Sequence, residues 1–201
     1  MALPPYKDRN WTHYKRYVNY FSSHCKTCFD MGCGYGFFLE AWMKIRTGES
    51  QGCDFLESRI SLCRKKGLNV FVQNLSEPLS QVGDRQFDAV FCNQVIEHLE
   101  DEAQLNLFRE AYRILRSGGE FLVMSPCRHW EEGRNMEGHI NCLTPNELAT
   151  RLTDIGFANI DLKHNIPQKL PEVPVEVIEE LWRNYMPDLL SQTAHAIATK
   201  P

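Results

Sequence analysis

Three glycines stand at alternate positions in the stretch CFDMGCGYGFFLE, residues 28–40, and this stretch constrains the fold more than any other. Gly32, Gly34 and Gly36 follow a short apolar run and precede a run with helical spacing. A glycine-rich turn between a strand and a helix lets a ligand approach the main chain, where a Cβ atom would collide. The stretch therefore predicts a strand, a ligand-binding turn and a helix, although a tight turn without a ligand is the alternative.

The spacing of the glycines and the charge beside them narrow the choice of ligand. A dinucleotide fingerprint would place its third glycine at position 37, which is Phe37, and no Gly-Lys-Ser/Thr of a phosphate loop follows. Asp30 lies two residues before Gly32. Its carboxylate would repel a pyrophosphate but attract a cationic amine. The turn therefore favours a ligand with positive charge and no phosphate at this point.

A second acid, Asp54, ends the next strand-like segment, in QGCDF. A carboxylate at the end of the second strand can accept hydrogen bonds from ribose hydroxyls. Alternatively, it caps the following helix or is a solvated loop acid. Taken with the first turn, Asp54 indicates a nucleoside that carries an amino-acid-like ammonium group. S-adenosylmethionine has that make-up.

Strand-like and helix-like segments alternate along almost the whole chain of 201 residues. The apolar fraction of 43% and the aromatic fraction of 11% are sufficient for a hydrophobic core. We therefore predict one doubly wound α/β domain over residues 1–201, with a mainly parallel sheet. A ligand of such a sheet binds beyond the carboxyl ends of the strands, so the glycine turn lies at the expected edge.

Charge, hydropathy and cysteine usage exclude several other classes. The net charge of −4 gives no reason to expect a nucleic-acid partner, and no apolar run approaches the length of a membrane span. The first residues lack the apolar core of a signal peptide, so we read the eight cysteines as reduced thiols of a cytoplasmic protein. Cys25 and Cys28 form a CxxC pair, but no second pair follows, so a metal or redox role competes with that of plain buried thiols.

Four segments resemble motifs of the class I S-adenosylmethionine-dependent methyltransferases, over nearly the whole chain. FDMGCGYG resembles the first motif of the family, GCDFLESRI its ribose-binding strand end, FDAVFCNQVIEHL its fourth-strand motif, and EAYRILRSGGEFLVMSP the helix, turn and strand that follow. GHINCLTPNEL is similar to a stretch of the type 11 small-molecule O-methyltransferases, among them enzymes that act on quinone precursors. The resemblance implies a Rossmann-like, seven-stranded, mostly parallel sheet with a final antiparallel strand and helices on both faces.

The resemblance also implies the cofactor, S-adenosyl-L-methionine, and the residues that bind it. The residues expected to bind the methionine part are the first acid and the glycine turn: Asp30, Gly32, Cys33, Gly34 and Gly36. The nucleoside falls to Asp54 at the ribose, Phe55 against the adenine, and Asn74 with the Leu75 amide near the adenine amino group. Asn93, after the fourth strand, is expected close to the methionine and the sulfonium. An aromatic helix within residues 1–22 is expected over the cofactor, although core packing explains its aromatic stripe equally well.

The implied reaction is methyl transfer to a small-molecule acceptor, with a hydroxyl oxygen as the expected target, by a monomer or a homodimer. A protein of this fold that binds the cofactor but only supports a partner is the alternative class. A nicotinamide-dependent oxidoreductase is a further alternative, against which Phe37 already argues.

Three histidines, His98, His129 and His139, are candidates for the base that takes the acceptor proton, since the ordinary pKa of histidine lies near neutral pH. His98 follows the fourth strand, and His139 lies in the segment 127–144, which we expect to face the acceptor; a structural role remains the alternative for each. We expect His139 on the acceptor side and His98 as an organiser of the loop after the fourth strand. The quinone-type motif has an acid at the position of Gln94, so we predict no metal.

Overall fold

The structure, a computed structural model, describes residues 11–163, 172–185, 188 and 191–201. Its helices are α1 (Trp11–Val18), α2 (Phe37–Ile45), α3 (Glu57–Lys65), α4 (Asp101–Ile114), α5 (Glu131–Arg134), α6 (Pro145–Ile155) and α7 (Val175–Asn184). Its strands are β1 (Cys28–Met31), β2 (Ser50–Asp54), β3 (Val70–Val72), β4 (Phe87–Asn93), β5 (Leu115–Pro126), β6 (Ala158–Leu162) and β7 (Thr193–Thr199). The first ten residues of the predicted aromatic helix segment lie outside the described residues.

The strands form one seven-stranded sheet in the order β3-β2-β1-β4-β5-β7-β6, which confirms the predicted fold class. Strands β1 to β5 run parallel to one another. Strand β7 lies between β5 and β6 and is antiparallel to both. The order reverses direction between β1 and β4. Ligands of doubly wound sheets bind beyond the carboxyl ends of the strands at this reversal.

Alternate residues of the central strands pack on opposite faces of the sheet. On β4, Ala89 and Phe91 belong to the core under α1 and α2, whereas Val90 and Cys92 belong to the core on the other face. Both cores consist of buried hydrophobic residues, and Trp42 of α2 is completely buried in the first of them. This double burial explains why β4 is almost continuously apolar in sequence.

The sequence carries end signals for two helices, Thr144 and Glu147 at the start of α6 and Gly67 after α3, and the structure uses both. The Thr144 hydroxyl accepts a hydrogen bond from the Glu147 amide, and the Glu147 carboxylate accepts one from the Thr144 amide. This capping box satisfies two backbone donors that the first turn of α6 would otherwise leave unpaired. Gly67, just after α3, has a φ of +79°, as expected for a glycine that ends a helix.

Two segments differ from what their sequence patterns indicate. The helical spacing that begins at Asp101 continues up to Gly118 and Gly119, but α4 ends at Ile114, because Leu115 already pairs with Phe87 of β4. Lys200 stabilises this early end by donating to the carbonyl oxygens of Tyr112 and Leu115. The segment 127–144 was expected to be irregular throughout, but it contains the single helical turn α5.

The cysteines and the hydropathy of the helices agree with the sequence-based analysis. All eight cysteines are free and buried. Desolvation, followed by the charge of Glu120, raises the pKa of Cys25 to about 12, and the Cys25 thiol donates to the Glu120 carboxylate. Both thiols of the CxxC pair are buried, as expected for residues used in packing. Within the described ranges, every helix is too short or too polar to cross a bilayer.

Candidate functional site

The glycine turn follows β1 at the carboxyl edge of the sheet, and all three of its glycines have positive φ: +82° at Gly32, +55° at Gly34 and +78° at Gly36. The amides of Gly32 and Cys33 both donate to the carbonyl oxygen of Cys53, at 2.9 and 2.8 Å, which ties the turn to β2. The turn is therefore held in one conformation that L side chains rarely adopt.

The three glycines are required for different reasons. A Cβ atom at Gly32 would collide with Val95, and one at Gly36 would collide with Leu68. At Gly34, by contrast, none of the described residues has an atom within 4 Å of a Cβ position. Packing therefore explains the first and third glycines, whereas open space above Gly34 leaves its main chain accessible to a ligand.

This difference predicts the outcome of Gly34→Ala. We expect the variant to fold, with about 1–2 kcal/mol lost from the free energy of unfolding because of the positive φ. Its affinity for S-adenosylmethionine should fall roughly tenfold or more, because the added methyl group occupies the ligand's space. Gly67→Ala is the matched control, since Gly67 also has a positive φ (+79°) and open space around it. Calorimetry that shows equal affinities in the two variants would place the ligand elsewhere.

Asp30 lies inside the sheet below the turn, with only 2% of its surface exposed. Its pairing partners are Gly52 of β2 and Phe91 of β4. Desolvation raises the pKa of Asp30 well above its ordinary value, and the charges of Asp54 and Cys63 raise it further. A buried carboxylate in such surroundings is stabilised by a cation, as expected for a group that meets an ammonium.

Asp54 serves the turn directly. One carboxylate oxygen accepts from the Gly34 amide at 2.9 Å and the other from the Leu56 amide at 3.0 Å, with Arg59 at 3.6 Å. Leu56, and not Asp54, is the residue that caps α3. The helix-cap alternative is therefore not what the geometry shows, and the 3% exposure of Asp54 excludes a solvated loop acid. Each carboxylate oxygen keeps a second lone pair, which a ribose hydroxyl can use.

The other cofactor residues inferred from the resemblance lie along the same edge. Phe55 follows Asp54 and is 65% exposed, as expected for a ring without its stacking partner. Asn74 is exposed after β3, but its side-chain oxygen accepts from the Ser76 amide. Leu75 buries its side chain in the core, so only its main chain is available. Asn93 is half-buried at the end of β4.

The helix α1 packs over α2 and β4 beside the glycine turn. Tyr14 stacks on Phe37, the first residue of α2, with ring centroids 5.9 Å apart. Tyr17 lies 5.6 Å from Phe91 of β4. The aromatic stripe is therefore used in core packing, and a position over the cofactor remains a prediction.

A cluster of three side chains lies after β4. Glu97 and His98 belong to the single 3₁₀ turn Ile96–His98, and His139 comes from the segment 127–144. One ligand-type atom of each side chain lies within 4.8 Å of the other two, and the two imidazole rings are 4.8 Å apart. The segment 127–144 therefore folds back toward His98.

Main-chain hydrogen bonds hold the segment in this position. The amides of Ile140 and Asn141 both donate to the carbonyl oxygen of Glu97. The side-chain amide of Gln104 joins the two sides by donating to the carbonyls of Ile96, at 2.6 Å, and Asn141, at 2.8 Å. His139 is thereby fixed beside the 3₁₀ turn although 40 residues separate it from the neighbouring loop.

Burial divides the roles within the cluster. Glu97 is completely buried and the side chain of His139 is 4% exposed, whereas His98 is exposed. These exposures favour His98 as the residue that faces an acceptor and His139 as the one that organises the loop, the reverse of our sequence-based preference. Desolvation raises the pKa of Glu97 to about 7 and lowers the pKa of His139 below its ordinary value.

Sequence reasoning had connected Glu97 only with its neighbour His98. Nothing in the local pattern indicated that Glu97 would be buried, because an acid in a 3₁₀ turn is usually solvated. The signal that does exist is the GHIN stretch with His139, whose partner across the fold cannot be read from the sequence.

Two cavities lie away from the glycine turn. One, of about 330 Å³, is at the opposite edge of the sheet and is lined by polar residues that include Glu49, Arg85 and Arg116. The other, of about 450 Å³, borders Arg128 and His129 at the start of the segment 127–144. Neither of these two cavities is lined by the glycine turn, so the assignment of the turn as a ligand site comes from its main-chain geometry and from the charge beside it.

The fold and the glycine turn define the class I methyltransferase architecture, and comparisons with known proteins agree. Residues 29–123 match the family described as a methyltransferase domain. A ubiquinone biosynthesis O-methyltransferase of Pseudomonas putida is 31% identical over 100 residues, which cover 47% of this chain and 42% of the relative. An S-adenosylmethionine-dependent methyltransferase of Mycolicibacterium smegmatis is 34% identical over 135 residues, which cover 64% and 50%.

Among solved structures, a SAM-dependent methyltransferase from Archaeoglobus fulgidus superposes with a TM-score of 0.75 at 25% identity, covering 94% of this chain and 92% of that one. The chain therefore has the fold of the class I S-adenosylmethionine-dependent methyltransferases, and residues 29–123 are similar to a methyltransferase domain. The matched segment spans about half the length of the curated relatives.

Proposed function

We propose that the protein transfers the methyl group of S-adenosylmethionine to a hydroxyl oxygen of a small-molecule acceptor. The observation that carries the proposal is the buried acid Asp30 below the open main chain of Gly34. A dinucleotide would bring a pyrophosphate to this turn, and the carboxylate would repel it. The ammonium of S-adenosylmethionine has the complementary charge. The likeness to O-methyltransferases at 31% identity supports oxygen as the acceptor atom.

Methyl transfer from a sulfonium is an in-line displacement, for which a protein supplies alignment and, for a hydroxyl acceptor, removal of a proton. Asp30 and Asp54 would orient the two ends of the cofactor. His98 follows β4 in the chain, and the ring of His139 packs against that of His98. In this proposal both are close to the predicted position of the sulfonium at Asn93. In this proposal their unprotonated nitrogens assist the loss of the acceptor proton.

Calorimetry with S-adenosylmethionine, S-adenosylhomocysteine and NAD tests the cofactor part of the proposal. We expect binding of both adenosyl-sulfur ligands and none of NAD, because Phe37 stands where a dinucleotide turn has its third glycine and the Asp30 carboxylate would repel a pyrophosphate. Incubation with methyl-labelled cofactor and a panel of phenols, sugars and hydroxy acids tests the reaction. Tight binding of NAD alone would end the proposal, and binding without transfer to any acceptor would favour a protein that only supports a partner.

Asp54→Ala is expected to weaken binding of S-adenosylmethionine by about 2–3 kcal/mol, from the loss of two hydrogen bonds to a charged acceptor. The Gly34 amide loses its partner in the same variant, which loosens the turn. Glu57→Ala is a suitable control, since Glu57 is an exposed acid at the start of α3, three positions after Asp54. An unchanged affinity in Asp54→Ala would leave Asp54 with only the role of bracing the turn.

We also propose a reducing, cytoplasmic setting and a monomer or homodimer that needs no nucleic acid. The eight free thiols support the setting. Sedimentation of the purified protein, with and without reductant, distinguishes the two oligomeric states from disulfide-linked forms.

A further inference from the structure

Both histidines of the cluster have one ring nitrogen occupied by a backbone carbonyl. His98 Nδ1 lies 2.8 Å from the carbonyl oxygen of Gly138, and His139 Nδ1 lies 2.6 Å from that of Gly133. A carbonyl oxygen only accepts, so each Nδ1 carries the proton and each Nε2 keeps a lone pair. Histidines that bind metals are oriented in this way, with the second nitrogen donating to a carbonyl or carboxylate.

Glu97 supplies the third group and an independent reason to expect a ligand. It is completely buried, and neither of its carboxylate oxygens has a hydrogen-bond partner among the described residues. One oxygen lies 4.0 Å from Nε2 of His139, too far for a hydrogen bond. A buried acid without partners is costly unless a cation or a donor satisfies it.

The three side chains are close enough to share one ion. Atoms that all lie within 4.8 Å of one another have a common centre at most about 2.8 Å from each, and zinc bonds to nitrogen and oxygen are about 2.0–2.2 Å. Movements of under about 1 Å would close the site. We propose that Glu97, His98 and His139 bind one divalent transition-metal ion, with two imidazoles, one carboxylate and an open position.

The ligand set decides the kind of metal. Two imidazoles with one carboxylate suit zinc, iron(II), cobalt(II) or manganese, whereas magnesium and calcium prefer oxygen ligands throughout. Gln94 stands where the quinone-type motif has an acid, and the missing carboxylate was the reason for the prediction of no metal. His139 replaces that acid from a distant part of the chain, which the sequence-based argument did not include.

With both Nε2 lone pairs bound to the ion, neither histidine would take the acceptor proton itself; the ion would bind the acceptor's hydroxyl group and lower the pKa of that hydroxyl as a Lewis acid, and the proton would pass to water. This role rests on the proposed methyl transfer, but the binding of the ion does not. Metal binding can be measured without cofactor or acceptor, so the two proposals fail separately: loss of S-adenosylmethionine binding ends the first, and loss of metal binding ends the second.

The experiment titrates EDTA-treated, full-length protein with zinc by calorimetry and with cobalt by visible absorption. We expect one ion per chain, a tetrahedral or five-coordinate cobalt spectrum, and a rise in melting temperature with zinc. Glu97→Gln, His98→Ala and His139→Ala should each weaken zinc binding about 10- to 100-fold or more. Glu97→Gln keeps the size of the side chain, so it tests the site even if an alanine variant folds poorly.

Two controls separate this site from adventitious binding. His129→Ala removes an exposed histidine of the same segment that is not in the cluster. His24→Ala removes a member of the other cluster of possible ligands, in which Ser22 already occupies both carboxylate oxygens of Glu120. Both variants should bind zinc as the unmodified protein does. Absence of stoichiometric binding, or equal binding by Glu97→Gln, would overturn the proposal and restore the prediction of a metal-free site.

Discussion

Replacement of Asp30 by asparagine is expected to weaken S-adenosylmethionine binding by about 3–5 kcal/mol, more than two orders of magnitude in Kd, because the buried ammonium loses its counter-charge. The same change should raise the free energy of unfolding of the ligand-free protein near neutral pH. Burial and Asp54 raise the pKa of Asp30, so its charged form destabilises the fold when no cation is present. The variant would thus be more stable and less able to bind.

The pH dependence has a defined sign. The raised pKa means that the folded protein holds the Asp30 proton more tightly than the unfolded chain, so this contribution to stability is lost as the pH rises through the folded-state pKa. Binding of an ammonium requires the carboxylate. The affinity for S-adenosylmethionine should therefore fall as the pH is lowered through that same pKa.

Calorimetry at a series of pH values and thermal unfolding without ligand measure both effects. Asp30→Asn should show a flatter pH dependence of affinity, with Asp54 and Cys63 as the other charged groups that act on this position. Asp84→Asn is the control, because Asp84 is an exposed acid paired with Arg113 and far from the turn in the fold. A variant with normal affinity would show that Asp30 does not meet the ammonium.

The second large effect is expected at the cluster after β4. His98→Ala and His139→Ala should each lose turnover by about 10²–10⁴-fold while they still bind S-adenosylmethionine. The reason is that proton removal from the acceptor, whether by a free imidazole or by a hydroxyl bound to an ion, depends on both side chains. Saturating acceptor should not restore the rate.

Exposure predicts a difference between the two variants. His98 is exposed, so its loss should also raise the KM for the acceptor, whereas His139 is buried and its loss should lower kcat alone. His129→Ala should keep normal kinetics. If both histidine variants turn over at near-normal rates, with native circular dichroism, alignment of cofactor and acceptor would be sufficient for the transfer.

Much of the fold and of the cofactor edge could be predicted from the sequence, because those features depend on local rules. Positive φ is accessible to glycine and rarely to other residues, so Gly32, Gly34 and Gly36 predict a turn after β1. The capping-box pattern of Thr144 and Glu147 indicates where the helix α6 begins. The acids Asp30 and Asp54 sit at the ends of strands, and the ends of neighbouring parallel strands meet at one edge.

Where local rules compete with long-range pairing, the prediction was incomplete. The helical pattern of α4 continues past Ile114, but pairing of Leu115 with Phe87 ends the helix there. A hydrogen bond between strands distant in sequence outweighs helix propensity, which amounts to less than about 1 kcal/mol per residue.

By itself, the sequence determined the order of strands and helices, the class of the domain and the charged glycine turn at its first strand. Only the tertiary structure decided that Glu97 is buried with neither carboxylate oxygen hydrogen-bonded to a described residue, and that His139 lies 4.0 Å from it. The reason is that burial and tautomer depend on carbonyls and amides contributed by other segments: Gly133 and Gly138 orient the two imidazoles, and Gln104 joins the segment to the 3₁₀ turn. Those partners are far apart in the chain, so no local spacing records them.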